Sequence, residues 1–164
     1  MDFVGRINQH YKIECFGKDG ELKWVEEFDN LVVTAGRNKY LDATLKTGLT
    51  TPLWYVGLKD TGTPDPADTM ASHASWATIT PYSNATDPAF TPGAISGGSV
   101  DNSAAKAVFN INATDDIYGA FMKDSSTKGG ATGILLGVGD FGAPRSVISG
   151  DTLNVTATCS ISAS

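Results

Sequence analysis

The feature that most constrains this chain is its last regular stretch, Ser149-Gly150-Asp151-Thr152-Leu153-Asn154-Val155-Thr156-Ala157-Thr158-Cys159-Ser160-Ile161-Ser162. Leu153, Val155, Ala157, Cys159 and Ile161 fall on one parity, and Thr152, Asn154, Thr156, Thr158 and Ser160 on the other. That is the period-2 pattern of a strand with one face in a core and one in water. Gly150-Asp151 supplies the turn before it. A strand of this regularity needs partners from earlier in the sequence, so it closes a sheet. Composition agrees: 18 Gly, 7 Pro and only 18% charged residues suit a β domain with many turns better than a helical bundle. With 164 residues the chain is expected to form one domain that buries about 70% of the surface of its unfolded state.

Upstream, residues 1–9 carry no clean period and read as an N-terminal arm preceding a domain of residues 10–164. His10–Phe16 and Glu21–Phe28 alternate on either side of Gly17-Lys18-Asp19-Gly20, a hairpin signal. Thr34 is a candidate N-cap for one short helix over about 35–46, with Leu41 and Leu45 four apart, Tyr40 alongside and Gly48 as a stop. Pro52–Leu58 is an apolar run too short for a helix and reads as a central strand. Asp60–Asp68 is turn chemistry, Thr69–Trp76 suits a helical turn and Trp76–Tyr82 a short strand. Ser83–Asn102 is a long loop, functional or hiding short strands. Ala105–Ala113, Ile117–Lys123, Ile134–Val138 and Arg145–Ile148 then lead into the last strand. The pattern predicts an antiparallel meander within about eight strands, packed as two sheets.

The chemistry-bearing residues are few. A net charge of −6, with no cluster of Lys and Arg, argues against nucleic acid and anionic membranes as partners, and no run of about 18 apolar residues marks a membrane span. Met1-Asp2-Phe3-Val4-Gly5-Arg6 lacks the basic start and apolar run of a signal peptide, so synthesis in cytoplasm is expected and the sequons at Asn84, Asn112 and Asn154 read as chance matches. Cys15 and Cys159 read as small buried hydrophobes rather than a disulfide. Asp60-Thr61-Gly62 matches the triplet of retroviral-type aspartic proteases, but Lys59 before it and Pro64 after it favour a turn in which Asp60 caps its own backbone and Gly62 takes positive φ. His10 and His73 have no zinc spacing around them. Gly137-Val138-Gly139 and Lys128–Gly133 lack the remainder of a nucleotide loop. Asp115-Asp116 and the Asp60, Asp65, Asp68 group lack the EF-hand pattern and read as turn acids. Trp24, Trp54, Trp76, Tyr55 and Tyr82 form either a sugar-binding platform or core. No cofactor or metal is expected.

Asn30-Leu31-Val32-Val33-Thr34-Ala35-Gly36-Arg37-Asn38, Trp54-Tyr55-Val56-Gly57-Leu58, Gly62-Thr63-Pro64 through Asp68-Thr69-Met70-Ala71-Ser72-His73, Gly119-Ala120-Phe121 and Gly150–Thr156 follow one another in collinear order. In this order and spacing, over residues 11–162, the chain resembles small virion proteins of tailed bacteriophages, of the capsid decoration or cement type. The resemblance implies an antiparallel, jelly-roll-like β-sandwich, often a homotrimer, on the outer surface of the capsid, with no catalytic residues. It implies the major capsid protein of the same phage as partner. The arm and the long loop would do the clamping, with Phe3, Val4, Ile7, Phe90 and Ile95 as candidate capsid or inter-subunit contacts. The alternative is a glycan-binding host-recognition module of a fibre or tail, and a third reading is a dimeric head-processing protease resting on Asp60.

Overall fold

The computed structural model describes residues 5–46 and 52–163. Among them are ten strands and one helix: β1 Gly5–Phe16, β2 Leu22–Val32, α1 Thr34–Leu45, β3 Trp54–Lys59, β4 Thr78–Ile79, β5 Ala89–Phe90, β6 Ser99–Asp101, β7 Ala107–Asn110, β8 Asp115–Lys123, β9 Leu135–Val147 and β10 Thr152–Ala163. All pairings are antiparallel, in the order β4-β3-β8-β9-β2-β1-β10-β6, with β5 beside β3 and β7 beside β10. The chain is an all-β sandwich with one short helix. One layer holds β1, β2, β10, β6 and β7, the other β3, β8, β9, β4 and β5. β2 joins them: its body pairs with β1, and Leu31 and Val32 cross to pair with Val138 and Gly137 of β9.

The first layer follows the sequence pattern. Leu153, Val155, Ala157 and Cys159 of β10 and Tyr11, Ile13 and Cys15 of β1 are buried on one face. They meet Val56, Leu58, Ala120, Met122 and Leu136 of the opposite layer in the main core. The predicted hairpin is present, with Gly20 at φ 82°, where a side chain would be strained. A bulge follows it: Cys15 pairs with Trp24 but Phe16 with Leu22, so Lys23 is the extra residue.

Residues 5–9, expected in the N-terminal arm, are strand. Gly5–Gln9 belong to β1 and pair with Ala163–Cys159. Arg6, Ile7, Asn8 and Gln9 have no apolar alternation to announce a strand. The edge offered by β10 organises them, since backbone pairing does not require an apolar side chain. Met1–Val4, with the candidate contacts Phe3 and Val4, lie outside the described residues, as does Gly48.

The second layer departs more from expectation. Ile134–Val138 and Arg145–Ile148, read as separate segments, are parts of the single strand β9, which pairs with β8 and β2 and not with β10, so the meander is not formed. β9 is broken in register twice. Ile117 and Gly119 of β8 face Arg145 and Asp140, leaving a bulge that contains Pro144, which cannot donate to a ladder. Lys123 and Met122 face Leu135 and Gly137, so Leu136 is extra. That slip turns Leu136 into the main core while Leu135 and Val138 face the other side of the sheet, where they pack with Val33, Met70, Trp76 and Phe121. The layer is therefore buried on both faces, the outer one under the segment from Asp60 to Ala77.

Three local expectations change. Val33, not Thr34, is the N-cap, and no side chain caps it; Thr34 Oγ1 instead accepts from Arg37 Nη2 at 2.9 Å. Leu41 and Leu45 face solvent. The only buried residue of α1 is Gly36, where a Cβ would fall 2.1 Å from the Leu136 carbonyl oxygen, so the helix backbone lies directly on the sheet there, with the half-buried Tyr40 and Ala35 packing to either core. Thr69–Trp76 holds a tight bridge between Thr69 and Ser72 rather than a helical turn. The 83–102 segment does hide short strands, β5 and β6. Beyond them the Asn102 amide acts as a missing ladder rung, donating to Val155 O at 3.2 Å and accepting from Ala157 N at 2.8 Å.

Candidate functional site: an apolar cavity beside the helix

Phe90 and Ile95, predicted contacts from the long loop, are brought together at one end of the sandwich. They line a cavity of about 380 Å³ with Tyr40 of α1, Trp54 of β3, Val100 of β6 and Cys159 of β10. Register explains the assembly, since Phe90 is opposite Trp54 and Val100 opposite Cys159. Met122 and Leu136 also line it, and the lining is overwhelmingly apolar. Ile95 is 79% exposed. Leu41 and Leu45 on the helix, and Leu53 next to Trp54, are exposed as well, so four of the nine exposed large apolar side chains among the described residues are Ile95 or sit on the segments that line this cavity.

Behind the cavity the core is polar. Cys159, Gln9 and Asn30 form one row across β10, β1 and β2. Gln9 Nε2 points at Cys159 Sγ, 3.5 Å away, and at Met122 Sδ, 3.7 Å away. Gln9 Oε1, the Tyr11 hydroxyl and both polar atoms of Asn30 are buried without a hydrogen-bond partner. Burial pushes up the Tyr11 and Tyr40 hydroxyls and the Cys159 thiol, which therefore stay protonated. Gln9 was invisible as a core residue because the pattern places it in an arm. Of the other predicted contacts, Ile7 lies in β1 opposite Ile161 and is half-buried.

The remaining candidates have local partners. Asp60 Oδ1 accepts from Thr61 N at 2.7 Å and Gly62 has φ 111°, the turn geometry expected of that triplet. The turn is tied from beneath by Lys59. Its fully buried ammonium reaches Asp60 O at 2.8 Å, Gly62 O at 2.5 Å and Asp140 Oδ1 at 2.6 Å. His10 is exposed, 2.9 Å from Asp29. His73 stacks on Trp76 at 4.0 Å, and its Nδ1–H donates to Trp76 O at 2.9 Å. Asp68 accepts from Trp76 Nε1 at 2.9 Å and from Asp65 N at 2.7 Å. Among the described residues no three His, Cys, Asp or Glu side chains gather as metal ligands would. Four of the five candidate platform residues are dispersed: Trp24 packs on Phe141, Trp76 on Phe121 and Tyr82 on Phe109, while Trp54 lines the cavity.

Cys15 and Cys159 are free and buried. Cys15 faces Leu153 whereas Cys159 faces Gln9, six residues further along both strands, too far apart for a bridge. Burial, with Asp151 nearby, pushes the Cys15 thiol up to about 12. Asp151 also holds the bulged Lys23 at 2.5 Å.

A second buried polar group has no sequence motif. Lys123 and Asp87, 0% and 1% exposed at their side chains, approach to 3.1 Å. The Tyr82 hydroxyl donates to Asp87 Oδ1, and Lys128 donates to the Tyr82 carbonyl and lies over its ring. No protein-family model matches this chain, and neither does any curated protein sequence.

Proposed function

We propose that this chain is a capsid decoration protein: a virion structural protein that binds the outer head shell across subunit joints and stabilises it, as a homotrimer. The observation that carries this reading is the apolar end of the sandwich, where exposed Ile95 and buried Phe90 meet Trp54 around a cavity, with Leu41, Leu45 and Leu53 exposed on the segments that line it. Such a surface favours protein contact over water. The collinear resemblance supplies the partner, the major capsid protein, and the fold is of the expected class. Two packed layers provide a rigid body from which the α1 end and the 90–100 segment reach a neighbour. A standard interface of about 1,600 Å² is enough, because many copies each contribute a few kcal/mol against the pressure of packaged DNA.

The test is to add purified protein to expanded heads that lack it and to measure coating and resistance to heat. Ile95→Asp places a charge among the apolar contacts and should weaken coating by about tenfold or more while leaving thermal unfolding of the free protein unchanged. Undiminished coating by that variant removes the apolar end as the contact surface. Wild-type protein that ignores heads but binds host surface glycan establishes the fibre-module alternative.

A further inference from the structure

The two fully buried lysines of the second layer are held differently. Lys59 has three acceptor oxygens within 2.8 Å, one for each ammonium proton, and its carboxylate partner Asp140 is 43% exposed. Lys123 has two oxygens, Thr127 O at 2.6 Å and Asp87 Oδ2 at 3.1 Å; its remaining side faces the Phe121 ring, 5.7 Å from the centroid. Asp87 Oδ2 has the Lys123 ammonium as a neighbour but no well-aligned hydrogen bond, and the carboxyl is out of water. A buried ion pair is stable when every proton and lone pair is matched. The Lys59 site meets that condition and the Lys123 site does not.

We propose that Lys123 and Asp87 condense spontaneously into a side-chain amide, an isopeptide crosslink that ties the end of β8 to the segment entering β5. Attack requires that a proton first pass from the ammonium to the carboxylate, a transfer that exclusion from water favours because two neutral groups cost less to bury than two charges; burial pushes the Asp87 carboxyl above its usual range. The Lys123 nitrogen lone pair attacks Asp87 Cγ. Negative charge develops on Oδ1, where the Tyr82 hydroxyl already donates. Oδ2 leaves as water, taking the carboxyl proton and one proton from nitrogen. One carbon–oxygen bond is exchanged for one carbon–nitrogen bond, with no oxidant or cofactor. The product retains the hydrogen bonds already in place: the amide N–H to Thr127 O and the amide carbonyl to the Tyr82 hydroxyl. Asp87 N, which donates to Ser126 O at 3.0 Å, and Lys128, which donates to the Tyr82 carbonyl, hold the two reacting segments together.

Intact mass of the full chain under denaturing conditions tests this directly. Wild-type protein should be lighter by one water than its sequence, and a tryptic digest should join the peptide ending at Lys106 to the one spanning Lys123, which resists cleavage there. Lys59, with a hydrated partner, should cleave normally. Lys123→Met should have the full mass of its sequence. Asp87→Asn can condense only by releasing ammonia, and where it does so it should give the same joined peptides. Wild-type protein at full mass overturns the proposal. So does a missing water that maps elsewhere, such as a succinimide at Asp19-Gly20, with Lys123 still open to trypsin.

Discussion

The two layers of the sandwich are built on different rules. In the first, β1 and β10 run antiparallel over twelve paired positions from Gly5↔Ala163 to Phe16↔Thr152 without a slip. One face is core and the other is Thr, Asn, Lys and Glu, so each side chain's place follows from its parity. In the second, β9 slips register twice, both faces are covered, and two lysines lie fully buried. The first layer rests mainly on apolar burial, with Gln9 and Asn30 as polar exceptions in its inner face. The second also holds buried lysines, with three oxygens on Lys59 but only two on Lys123, so local changes there should cost more and be less predictable from side-chain size.

Substitution of Lys59 should have the largest effect. Lys59→Met keeps the volume but leaves the Asp60 and Gly62 carbonyls without their donor, and should lower the free energy of unfolding in urea by about 3 kcal/mol. Asp140→Asn should cost about 1 kcal/mol or less, because the partly exposed carboxylate is already hydrated. Equal, small losses at both positions would erase the distinction between the layers. Ile13→Val, in the middle of β1, should cost about 0.5–1.5 kcal/mol, the price of one buried methylene; a loss as large as that of Lys59→Met would mean that the first layer is no more tolerant than the second. The smallest effect is on the outer face of β1. There Lys106, 2.6 Å from Glu14, with Lys12 at 3.4 Å, holds the Glu14 carboxyl below its usual range, the Lys106 hydrogen bond being the larger cause. A lowered folded-state value means the contribution is present at neutral pH and is lost as pH falls through the carboxylate range, below about 4.3. Wild type should exceed Glu14→Gln in stability by about 0.5 kcal/mol or less at neutral pH, and the gap should close in acid. A gap that widens in acid reverses the sign assigned to this pair.

What was legible in the sequence tracks this contrast. The hairpin, the closing strand, the buried thiols and the Asp60 turn were readable because each depends on parity or on turn chemistry within a few residues. Of the candidate site, Phe90 and Ile95 stood out as isolated apolar residues in a polar loop. Their meeting with Tyr40, Trp54 and Cys159 was not legible, since it depends on β3–β5 and β10–β6 pairings between segments far apart in sequence. Gln9 misled for the opposite reason: a polar residue at an interior position carries no apolar signal.

Sequence alone determined the β class, the single helix, the inward face of β1 and β10 and the sites of the tight turns, because period-2 alternation and glycine's access to positive φ are local properties. Tertiary structure alone decided that β9 joins β8 to β2, that Leu136 and its neighbour Leu135 face opposite cores, and that Lys59 and Lys123 are buried. Register across a sheet is set by the sum of many contacts, and each lysine is buried where carbonyls of its own neighbouring turn are joined by a carboxylate far off in sequence, Asp140 for Lys59 and Asp87 for Lys123, a meeting that no local pattern encodes.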